Sequence, residues 1–81
     1  MNIIRHAFEQ MKERGFTVEM LGRLVCGRTY IRTSETDDCR YLMTGIVNKK
    51  WWTIVLDKDL YIVITVRRAH EDEIKEAQSS F

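Results

Sequence analysis

Three stretches rich in β-branched and aromatic residues, 40–47, 51–56 and 60–67, follow one another with only Asn48-Lys49-Lys50 and Asp57-Lys58-Asp59 between them. Three residues can turn a hairpin but cannot make the long crossover that parallel neighbours need, so these stretches predict consecutive antiparallel strands. In the last of them Leu60, Ile62, Ile64 and Val66 alternate with Tyr61, Val63, Thr65 and Arg67. Neither set is polar throughout. The first is expected to lie against helices, and the second to form a curved, semi-apolar face ending in Arg67, suited to a partner or a dimer contact.

The residues before this block follow a helical period. Ile3, Ile4, Ala7, Phe8 and Met11 fall on one stripe, and Gly15 is a good C-terminal residue because it tolerates positive φ. Thr17 predicts the N-cap of a second helix, with Phe16 and Leu21 as a hydrophobic staple and Val18, Leu21, Leu24 and Val25 as its buried stripe. Gly27 ends it, giving a helical hairpin over 3–26. After Gly27 the alternation of Arg28-Thr29-Tyr30-Ile31-Arg32-Thr33 predicts a first strand with one solvated face, and 34–39 a polar, acidic loop. A last helix from Ala69 to about Ser79 carries Glu71, Asp72 and Glu73 in its first turn, but only Ala69, Ile74 and Ala77 as apolar residues. It is expected to dock weakly or to cover an edge. The order α-α-β-β-β-β-α predicts an α+β fold: an N-terminal helical hairpin packed on a four-stranded antiparallel sheet, with a short C-terminal helix.

A chain of 81 residues holds one domain, 1–81, with a small core. The run 60–66 is too short for a membrane, which takes about 20 apolar residues. The residues from Met1 to His6 lack the apolar run of a signal peptide, so a cytoplasmic location is expected. Cys26 and Cys39 then read as free thiols; with His6 and His70 they lack the pair spacings of a zinc site, and no metal is expected. The net charge of +1 hides basic segments over 1–33 and 40–68 offset by acidic ones over 34–39 and 69–81. That dipolar pattern suits one positive face, or simply a solvated surface. No Gly-rich phosphate loop, carboxylate pair or nucleophilic triad is present, which sets aside the usual kinases, dehydrogenases and hydrolases and leaves no cofactor expected.

The opening His6-Ala7-x-x-x-Met11-x-x-Arg14-Gly15-Phe16-Thr17 resembles a group of short phage and mobile-element proteins that begin with a His-Ala helix and an Arg-Gly corner. Further on, Ile64-Thr65-Val66-Arg67-Arg68-Ala69-x-x-x-Glu73 is similar to the Ile-Ser-Ala-Arg-x-Ala-x-x-x-Glu run that ends the BrnT toxins. Both groups are similar in layout to the RelE/ParE toxin superfamily. The resemblance implies a ribonuclease toxin with a cognate antitoxin protein as partner. Glu13-Arg14-Gly15 departs from the Lys-His-Gly corner of BrnT toxins, and the superfamily also holds gyrase poisons and inactive binding proteins.

Metal-free RNA cleavage needs a base for the 2′-hydroxyl, a cation for the phosphorane and an acid for the leaving 5′-oxygen. His6, Arg40, Arg67 and His70 are the catalytic candidates; Arg28, Tyr30, Arg32, Tyr41 and Arg68 are the candidates for holding RNA, the tyrosines by stacking. Tyr61 offers a further stacking surface. Arg67 matches the BrnT arginine, but serves equally well in an ion pair with Glu71 or Glu73. His70 is either a neutral base near a helix start or an exposed capping residue. His6 lies just outside the helical stripe, where it could equally brace the sheet. Arg40 could pair with Asp37 or Asp38, and Arg28 and Arg32 could mark a solvated edge strand. Of Trp51 and Trp52, which point to opposite faces, one is expected in the core.

The expectation is a small, metal-independent ribonuclease toxin with RNA as substrate and an antitoxin covering its basic face. Its rival is a non-catalytic binding module of the same fold, binding protein or nucleic acid or forming a homodimer. They differ in whether His6 or His70 converges with Arg67 on one phosphate position.

Overall fold

The structure, a computed structural model, describes residues 2–34 and 39–80, so the acidic loop expected over 34–39 and any pairing of Arg40 with Asp37 or Asp38 fall largely outside the described residues. The elements are β1 (Asn2–Ile3), α1 (Arg5–Arg14), α2 (Val18–Cys26), β2 (Thr29–Thr33), β3 (Arg40–Val47), β4 (Lys50–Asp57), β5 (Ile62–Arg68) and α3 (Glu71–Ser80). The class is α+β. Among the described residues, however, the sheet has five strands in the order β1-β5-β4-β3-β2 and is mixed, not four-stranded and antiparallel.

The extra strand comes from residues predicted to open the first helix. Asn2 and Ile3 pair in parallel with Ile62 and Val63. Ile4 stays extended at φ −72°, ψ 159°, and offers no side chain to cap a helix. Strand bonds take over: Asn2 N–H donates to the Tyr61 carbonyl at 2.8 Å and Ile4 N–H to the Val63 carbonyl at 3.2 Å. The helix therefore starts at Arg5, and its stripe is narrower than expected. Ala7 and Met11 are buried, whereas Ile4 and Phe8 are exposed. Beyond β1, Gln10 of α1 continues the cover of the β5 edge by accepting the Val66 N–H at 3.1 Å.

The corner between the helices forms as the residues predict. Gly15 adopts φ +68°, and the Thr17 hydroxyl accepts the Met20 N–H at 3.1 Å. Phe16, Leu21 and Leu24 are buried, but Val18 is 57% exposed, outside the stripe assigned to it. The hairpin packs on one face of the sheet through Met43, Val47, Trp52, Ile54, Leu56, Val63 and Val66. Trp52 is the core tryptophan, its ring 4.7 Å from that of Phe16; Trp51 is half-buried on the opposite face.

Two features reset the predicted strand faces. Val55 pairs with Thr65 but Leu56 with Val63, so Ile64 is the extra residue of a β-bulge. The bulge breaks the alternation and puts Val63 in the core beside Val66, on the face expected to hold only the even-numbered residues. The β3–β4 loop is tighter than predicted: Asn48 and Lys49, at φ 53° and 68°, turn the chain in two residues. At the next turn the Asp57 carboxylate accepts the Tyr61 and Ile62 N–H groups, both at 2.8 Å. The Ile62 N–H foremost holds that carboxyl below its ordinary pKa.

The other face is not open. α3 lies across β2 and β3, on the side opposite the hairpin, with Glu73 and Ala77 buried. The two helical units thus sandwich the sheet. No helix among the described residues is long and apolar enough to cross a membrane.

Candidate functional site

The strand registers line up a polar row beneath α3. Tyr30 stands opposite Thr44, Thr44 opposite Thr53, and Thr53 opposite Arg67, so residues from four strands share one face. Arg32 lies on the same face, two residues along from Tyr30. Thr44 and Thr53 are buried, and a buried hydroxyl needs a partner.

That partner chain ends on Glu73, which is only 2% exposed. Arg67 grips its carboxylate with both terminal nitrogens, Nη1 to Oε1 at 2.8 Å and Nη2 to Oε2 at 2.7 Å. The Thr53 hydroxyl donates to Oε1 at 3.1 Å. With its one proton spent there, Thr53 accepts from Thr44 across the 3.0 Å contact between the two hydroxyls. The His70 N–H donates to the same Oε1 at 2.7 Å, the N3-to-N-cap half of a capping box that starts α3. Arg32 stands 3.8 Å from Oε2 and binds Glu76 at 2.9 Å, with Asp72 at 3.9 Å.

Burial pushes the Glu73 carboxyl up, but the Arg67 bonds, the His70 N–H, the Arg67 charge and the Thr53 hydroxyl together outweigh it and bring the pKa down to about 2. Glu73 is therefore a permanent anion near neutral pH, out of contact with solvent. Because its folded pKa lies below the ordinary 4.5, its contribution is complete above pH 4.5 and is lost as the pH falls towards 2. The shift corresponds to about 3 kcal/mol. Urea midpoints measured from pH 7 to pH 2.5 are expected to fall through this window, with a shallower fall in Glu73→Gln; equal slopes would contradict the assignment.

Three of the predicted residues meet here: Arg32, Arg67 and His70. The ion-pair alternative for Arg67 is the arrangement found, with Glu73 as partner. His70 takes the capping position, its ring 65% exposed and its Nδ1 3.9 Å from Glu73 Oε1. Tyr30 borders the row, half-buried. The remaining candidates lie elsewhere. His6 is exposed on α1, in the opposite layer. Arg40 is exposed at the start of β3, in register with Asp57. Tyr41 belongs to the hairpin face, between Thr33 and Leu56. Arg68 also faces the hairpin, 5.3 Å above the Trp52 ring and donating to the Trp51 carbonyl at 3.2 Å. Arg28 is exposed just before β2.

Glu73 enters the sequence analysis as a first-turn acid, as the end of the BrnT-like run and as one possible partner of Arg67, but not as a site residue, and the hydroxyl pair Thr44–Thr53 is assigned no role there. A signal existed: His70 and Glu73 have capping-box spacing, and threonines at mid-strand sit where apolar residues are the rule. Among the described residues, no three His, Cys, Asp or Glu side chains gather in a way that could hold a metal ion, and Cys26 and Cys39 are not joined by a disulfide. Comparison with known protein families, with characterised proteins and with solved structures finds no match.

Proposed function

We propose that the chain is a non-catalytic binding module, in a RelE/BrnT-like fold, whose α3 face recognises the phosphates of single-stranded RNA. The observation that carries this reading is the donor set around Glu73: a bidentate guanidinium, a hydroxyl and a backbone N–H bonded to its two anionic oxygens, with a second guanidinium 3.8 Å away. These groups suit a phosphate as well as a carboxylate. Tyr30 at the border adds an aromatic surface for an unpaired base.

Cleavage is less well supported. A metal-free nuclease needs its base, acid and cation open to one phosphate at once. Glu73 is ionised and enclosed, so it has no proton to deliver. His6 is in the other layer, and the His70 ring meets Arg67 only across Glu73.

A second reading, binding of a protein or of a second copy of this chain, is favoured by the outer surface of the hairpin. Ile4, Phe8 and Val18 are exposed there, and two shallow apolar hollows of about 220 and 240 Å³ share Val18. One experiment separates the readings. Fluorescence anisotropy of a labelled uridine 20-mer is expected to show binding at low salt that weakens steeply as salt rises and that drops in Arg32→Ala. Light scattering on the same samples is expected to report a monomer. Absence of RNA binding together with a dimer would favour the hairpin surface.

A further inference from the structure

We infer that α3 is a reversible cover over the cationic row, held mainly by charge, and that single-stranded RNA binds by displacing it; the inference rests on the RNA-binding reading above. Three observations lead to it.

The first is how α3 is attached. Of its ten residues, the buried ones are a glutamate and an alanine, Glu73 and Ala77. Its strongest contacts are ionic: Glu73 to Arg67, and Glu76 to Arg32. An attachment of this kind is open to competition from another polyanion, whereas an apolar one is not.

The second is what lies beneath. The apolar core cluster sits wholly on the hairpin side of the sheet. The polar groups under α3 are Thr44, Thr53, Arg67, Arg32 and Tyr30, which water or phosphate can satisfy once the helix moves; Leu42, opposite Arg32, is a buried apolar residue on this face. A buried ion pair between such groups is weak evidence of a stabilising role.

The third is the match of charge. Asp72, Glu73 and Glu76 fall at i, i+1 and i+4 on one side of the helix and present carboxylates to two arginines. They occupy the cations as the phosphates of a bound strand would. Only Ala69 and His70 join β5 to α3, and they form the pivot. Opening moves Glu73 into water and leaves Arg67, Arg32 and the Thr53 hydroxyl facing the incoming phosphate.

The test is amide hydrogen exchange of the full chain with and without a uridine 20-mer, combined with anisotropy on two charge variants. Glu76→Gln removes the carboxylate 2.9 Å from Arg32 but leaves every Glu73 bond in place. Glu13→Gln, on exposed α1, changes the net charge equally. RNA is expected to speed exchange across 71–80 while leaving α1 and α2 unchanged. Glu76→Gln is expected to bind RNA about two- to fivefold more tightly than the parent, an effect of the size of one exposed ion pair, with Glu13→Gln close to the parent. If RNA binds but α3 stays as protected as before, or if both variants gain equally, the cover is overturned and the binding reading survives. If neither parent nor Glu76→Gln binds RNA at low salt, the binding reading falls and the cover falls with it.

Discussion

Arg67→Ala is expected to lower stability at pH 7 by about 3–5 kcal/mol, the cost of removing one partner from a buried ion pair. Glu73, 2% exposed, then loses its bidentate partner and keeps the Thr53 hydroxyl, the His70 N–H and the more distant Arg32 guanidinium at 3.8 Å, so burial, now opposed less strongly, drives its pKa up from the parent's. The sign of the pH dependence reverses accordingly. In the parent, acid removes stability as Glu73 protonates; in Arg67→Ala, mild acid restores part of it by neutralising the buried carboxylate. Urea unfolding at pH 7 and pH 4.5 checks both the size and the reversal. Replacing the pair together, Arg67→Met with Glu73→Leu, is expected to recover most of the loss. The exposed pair Arg5–Glu9, at 3.4 Å, provides the contrast: Arg5→Ala is expected to change stability by less than about 0.5 kcal/mol. An Arg67→Ala protein as stable as Arg5→Ala would show that the Glu73 network carries no weight.

Phe16→Ala is expected to cost a similar amount, about 3–5 kcal/mol, for an unrelated reason. Phe16 is 2% exposed, between the left-handed Gly15 and the Thr17 cap, and its ring packs 4.7 Å from Trp52. Truncation leaves a cavity where the corner of the hairpin meets the middle of the sheet, beside the Trp52 ring. The near-UV circular dichroism of Trp52 is expected to weaken along with the urea midpoint. A loss below about 1 kcal/mol would mean that the hairpin is anchored elsewhere.

What the sequence discloses, and what it hides, follows from the range of the interactions involved. The hairpin corner is local: Arg14-Gly15-Phe16-Thr17 contains its own left-handed residue, staple and cap, and these were legible. The three strands joined by short connectors were equally plain. β1 was not, because Asn2 and Ile3 fit a helical stripe as well as a strand, and β5, which decides between them, lies some 60 residues away. The Ile64 bulge was hidden for a different reason: Ile62, Val63 and Ile64 are all apolar, so either alternate set could face the core, and the break appears only where β5 has to match β4. The thin apolar face of α3 foretold weak apolar docking, but not a helix docked by its acids. The site divides in the same way. Arg67, His70 and Glu73 are close in sequence, and a motif could name them; Arg32, Thr44 and Thr53 join them only through sheet register.

The most direct test of the account is incubation of the purified protein with end-labelled single-stranded RNA in EDTA, at low salt and in excess over the RNA. With His6 in the opposite layer and Glu73 carrying no proton to give, the RNA is expected to be bound and to remain intact over hours. Fragments ending in 2′,3′-cyclic phosphates, absent when His70→Ala is used, would contradict that result and identify the α3 face as the active site of a metal-independent ribonuclease.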